Sequence, residues 1–121
     1  MNNNEAKEFV LNYLDSKISE LKAMVKSLER QEEEVAIEIY KIAVSQVIEN
    51  LNGYSINSGD YKRRTKELQA NILEAEGKIR TLEIVRKGEE EMEVLTKRIC
   101  KGGKEILEEV IEKILAIPLP F

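Results

Sequence analysis

Cys100 is the only thiol in the 121-residue chain, and Lys97, Arg98, Lys101 and Lys104 surround it in sequence. Positive neighbours favour a reactive thiolate. The residue also follows the apolar position Ile99, which favours an inert, half-buried thiol. The chain has no His, so neither a Ser-His nor a Cys-His pair can form. Without His there is also no imidazole metal ligand. A lone Cys excludes an intrachain disulfide and a multi-thiolate zinc site. Glu32, Glu33, Glu34 and Glu38 are the densest carboxylates, but bundle di-metal sites pair Glu with a His three residues on. Glycosidic acid–base work needs an aromatic sugar cleft, and the chain has two Phe and no Trp. We therefore expect no enzyme, no cofactor and no metal.

Two groups remain that suit binding. Lys62, Arg63, Arg64 and Lys66 stand against Asp60 alone, which suits a phosphate backbone or another polyanion. Lys101-Gly102-Gly103-Lys104 precedes a helical pattern, where backbone N–H groups can meet an anion. That run lacks the spacing and the Lys-Ser/Thr pair of a P-loop. The second basic band has no interleaved aromatics for base stacking. The net charge is −4, which opposes general coating of nucleic acid.

The elements that must carry these residues are helices. Charged residues make up 35% and aromatics 5% of the chain, and Pro occurs only at Pro118 and Pro120, a profile of long helices or coiled coil. Such usage suits a thermophile and a mesophilic coiled coil alike. Leu11, Leu14, Ile18, Leu21, Val25 and Leu28 step by 3 and 4, a heptad seam. From Val35 the apolar residues form two rows. One is Ile37, Tyr40, Val44, Val47 and Leu51; the other is Val35, Ile39 and Ile42. A helix apolar on two faces needs cover on both.

The turn signals at 52–60 predict a reversal, with Asn52-Gly53 closing one helix and Ser58 or Asp60 opening the next. The predicted elements are a helix over about 5–51, a turn at 52–60, a helix over about 61–100, a short helix over about 104–116 and an apolar tail at 117–121. Gly88 followed by Glu89-Glu90-Glu91 marks an alternative start for a new helix. If the long helices fold back, facing apolar residues pair as Leu51 with Tyr61, Val44 with Leu68 and Tyr40 with Ile72. At the far end Leu21 pairs with Met92 and Leu14 with Ile99. The expected fold is all-α: a long antiparallel, coiled-coil-like hairpin, about 70 Å if straight, plus a short C-terminal helix.

A two-helix hairpin buries little alone. The short helix either packs on Phe9, Val10 and Tyr13 of its own chain or crosses to another. We expect a homodimer that completes a helical bundle, with Val35, Ile39, Ile42, Val110, Ile114 and Phe121 at its interface. The function expected is an oligomerisation or protein–protein interaction module. The alternative is a small nucleic-acid-associated protein using the 62–66 cluster. The N-terminus has no basic, then apolar, secretory pattern, and no run is long enough to span a membrane, so a cytoplasmic protein is expected. Pro120-Phe121 resembles the Pro-Phe terminus of bacterial single-stranded DNA-binding proteins, though without the acidic run before it. The hairpin plan is similar in outline to prefoldin subunits, without their β-hairpin platform.

Overall fold

The computed structural model describes residues 1–51, 53–55 and 58–118. These form four helices: α1 (Asn3–Asn50), α2 (Ser58–Lys87), α3 (Glu89–Gly102) and α4 (Glu105–Leu115). No strand occurs among the described residues. The fold is all-α, as the periodicity requires. The polar stretch at 29–34 carries no Gly or Pro, and α1 runs through it unbroken. The second helix does not run from 61 to 100. It ends at Lys87, and Gly88 takes an extended conformation (φ −78°, ψ 112°) as the N-cap of α3. The local sequence explains the break. Arg86 and Lys87 suit the negative C-terminal end of a helix, and Glu89, Glu90 and Glu91 suit a positive N-terminal end. Gly77 lies inside α2 without breaking it, since no such charge reversal surrounds it.

The chain divides into two compact units. The first comprises residues 1–22 and 75–121, and it holds most of the core. Of the 16 buried apolar residues among those described, all but Val25 and Val35 belong to it. Val10, Leu14, Leu82, Ile99, Leu107 and Ile111 have essentially no exposure. The one buried polar side chain named there, Thr96, donates its hydroxyl to the Met92 carbonyl at 2.7 Å. That local bond removes the cost of an unpaired buried hydroxyl. Gly103 closes α3 with φ +86°, and its N–H reaches the Ile99 carbonyl. Only glycine takes that conformation without strain, and it lets α4 double back. Lys104 then lies 4.8 Å over the Phe9 ring, and Glu108 and Glu112 act electrostatically on the Tyr13 hydroxyl. The short helix thus packs on α1 of its own chain, running in the same direction.

The second unit, residues 23–74, is a two-helix hairpin. Here the expected register is corrected. Arg64 pairs with Glu38 at 3.2 Å, and the Ser55 N–H donates to the Gln46 side chain. These contacts set α2 against α1 about ten residues from the predicted pairing of Val44 with Leu68, close to three helical turns. Within the first unit, Arg86 with Asp15 and Lys22 with Glu83 show the same slide. The cause is the reversal. It occurs directly after Asn50, where Leu51 takes φ +55°, followed by Gly53 at φ +103°. Ser55 then lies beside Gln46 in the last turns of α1. Gly53 adopts the positive φ expected of it; its neighbour Asn52 lies outside the described residues, as does the Ser58 side chain.

Candidate interaction surface

The register decides which row of α1 is covered. Val35 is 6% exposed and shares a groove with Leu68 of α2, and Ile39 is half-buried. With the half-buried Glu32, Ala43 and Gln46, they continue the seam begun by Leu14, Ile18, Leu21, Val25 and Leu28. The row expected to face α2 is the one left outside. Ile37, Tyr40, Val44, Val47, Ile48 and Leu51 are all exposed, with Tyr40 at 72% and Leu51 at 85%. Val35 and Ile39 take the covered place expected of that row, while Ile42 is as exposed as Val44 and Val47. Both rows repeat with 3,4 steps, so the spacing alone did not separate them.

The exposed row steps by 3, 4, 3 and 4 from Ile37 to Leu51, with Ile48 beside it. That spacing is the seam of a coiled coil. Its flanks are Ala36, Ala43 and Asn50 on one side and Lys41 on the other, so no carboxylate interrupts it. Sequence reasoning named the row but assigned it to the intrachain contact. The signal that finds it is the turn at Leu51, which places Ser55 level with Gln46.

Of the residues expected at an interface, Val35 is enclosed by its own chain, Ile39 is half-buried, and Ile42 is exposed at the edge of the α1–α2 seam. Val110 and Ile114 are half-buried on α4 in the first unit. They line a separate apolar groove of about 350 Å³ with Val85, Val94 and Leu95. Phe121, with Leu119 and Pro120, lies outside the described residues.

The basic cluster sits on the first turns of α2. Arg63 is paired with Asp60 at 2.8 Å and Arg64 with Glu38, while Lys62 and Lys66 are exposed. Half of the cluster's charge is therefore already engaged by the chain's own carboxylates. Cys100 is exposed on α3, with its thiol 3.6 Å from Asn3 Oδ1. Among the described residues no three carboxylate or thiol groups come together to hold a metal, the Glu32–Glu38 group included. The Gly102-Gly103 step is spent on ending α3 and starting α4. No helix among the described residues is long and apolar enough to cross a membrane.

With this geometry in view, no protein-family model, no curated protein and no solved structure matches the chain.

Proposed function

We propose that this protein is a non-enzymatic helical module whose work is oligomerisation and protein–protein interaction. The observation that supports it is the exposed apolar row of α1 in the second unit. An uncharged face with coiled-coil spacing suits a partner helix better than it suits water. The first unit supplies a folded body with its own buried core. The sequence has no histidine, and among the described residues no carboxylates gather to hold a metal, so neither imidazole nor metal chemistry has support. In this reading the protein is a coiled-coil homodimer that works in the cytoplasm, where its single thiol stays reduced.

The test is the solution mass by light scattering behind a sizing column, taken from about 1 to about 100 µM because assembly follows mass action. A mass of twice 13.9 kDa or more is the expected result. A monomer throughout that range overturns the oligomerisation reading.

A further inference from the structure

We propose that the Ile37–Leu51 face of α1 seats the same face of a second copy of this chain, antiparallel, with Val44 on the two-fold axis. This rests on the oligomerisation reading above and names its surface and geometry.

Area is the first argument. At ordinary side-chain sizes, Ile37, Tyr40, Val44, Val47, Ile48 and Leu51 leave on the order of 700 Å² exposed, against ~800 Å² per partner in a stable interface and ~300–600 Å² for the largest patch of a typical monomer. A patch of that size on a hairpin matches what one helix of a second copy covers.

The second argument is the need of the unit that carries it. Val25 and Val35 are its only buried apolar residues among those described. A four-helix arrangement of two such hairpins gives it the core that it lacks.

Leu51 supplies the third. Leu51 holds φ +55°, a left-handed conformation that is unfavourable for a non-glycine residue, and an exposed leucine there gains nothing in return. Glycine or asparagine closes a helix more cheaply. As the last member of the 3,4 row, the same leucine gains a buried place in the dimer.

Volume selects the orientation. Antiparallel overlap centred on Val44 sets Tyr40 against Ile48, Ile37 against Leu51, and Val44 against itself. Each Tyr40 then packs against a branched aliphatic side chain, and only the central Val44 layer is thin. It also sets Lys41 against Val47, so no like charges meet. Parallel overlap stacks Tyr40 on Tyr40 over thin Val44 and Val47 layers, with the helix dipoles aligned unfavourably.

The experiment uses the full chain with Cys100→Ser as background. Val44→Cys and Ile37→Cys are oxidised separately and run on non-reducing gels, and Tyr40→Glu and Leu51→Gly are sized by light scattering. The expected results are a linked dimer for Val44→Cys and little for Ile37→Cys. Tyr40→Glu should weaken association at least ~100-fold by burying a carboxylate, with helicity retained because Tyr40 is exposed in one copy. Leu51→Gly should weaken association even though it relieves backbone strain. A dimer that survives Tyr40→Glu and leaves Val44→Cys unlinked overturns this face while the oligomerisation reading stands. Equal linking through Ile37→Cys overturns the antiparallel geometry. A parent chain that is monomeric at every concentration overturns both.

Discussion

Arg86 at the end of α2 donates through Nε to Asp15 of α1, 71 positions earlier in the chain. A second bond joins its Nη2 to the other carboxylate oxygen at 3.3 Å. The paired carboxylate raises the guanidinium pKa, through the hydrogen bond first and then through the charge itself. Both groups are solvent-exposed, so screening leaves the pair little weight in stability. Its value is geometric. Together with Lys22–Glu83 it brackets a stretch in which Ile18, Leu21, Leu82 and Val85 are all buried. The apolar contacts hold this register, and the ion pair marks it.

The first unit should carry most of the chain's intrinsic stability. Leu107 and Leu14 have no exposure, so truncation of either removes buried surface and leaves a cavity. Leu107→Ala or Leu14→Ala should each cost about 2–5 kcal/mol. The exposed Leu73→Ala in the second unit should change stability by less than about 0.5 kcal/mol. Urea unfolding of the three variants, followed by circular dichroism, checks the contrast. Equal losses at Leu107 and Leu73 would mean that the first unit is not the better packed of the two.

Two glycines flank α3 with opposite demands. Gly103 has φ +86°, where an added side chain is strained whatever the space around it. Gly103→Ala should destabilise by about 1 kcal/mol and loosen α4 from Phe9 and Tyr13. Gly88 has an ordinary φ. An added Cβ there meets chiefly the far end of the Glu91 side chain, which is flexible and can swing away. Gly88→Ala should therefore cost clearly less than Gly103→Ala. Thermal midpoints of the pair test the order; a larger loss at Gly88 would contradict it.

These residues also show what the sequence made legible. Helix content, the Leu11–Leu28 seam, the short C-terminal helix α4 and the Gly102-Gly103 stop all followed from 3,4 spacing and breakers. Packing of α4 on Phe9 and Tyr13 was one of two outcomes that its register allowed. The pairing of α1 with α2 was not legible, because apolar rows repeat and several slides match one row to another. Only the backbone at Leu51 resolves the choice, and leucine carries no signature of a left-handed turn. The candidate surface was lost by the same step. Its residues were named, but the wrong register had them covered. The break at Gly88 was written in the charges on either side of it.

Tyr13 makes the contact between α1 and α4 sensitive to alkali. Burial raises its pKa above the ordinary value of 10.0, opposed by Lys17 and assisted by Glu108, Glu112 and Glu20. A raised folded-state pKa means that the neutral phenol belongs to the folded form. Its contribution is complete below the unfolded value and is lost as pH rises through the folded one. Tyr13→Phe removes that loss. The urea midpoint of the parent chain should fall more than that of the variant between about pH 8 and about pH 11. Parallel falls would show that Tyr13 does not ionise differently in the folded protein.

Glu32 breaks the apolar seam that runs from Leu28 to Val35, and it is half-buried there. A carboxylate at a seam position gives up hydration without contributing apolar contact. Leu at this place continues the 3,4 row and covers part of the surface that Val35 shares with α2. Glu32→Leu should raise stability by roughly 1 kcal/mol, the scale of partial leucine burial. The gain should appear as slower amide hydrogen exchange across 25–50, with little change in α3 and α4, because those helices belong to the other unit. Faster exchange in that stretch would mean that Glu32 is turned to solvent and that α1 is rotated there away from the seam drawn through Val35 and Ile39.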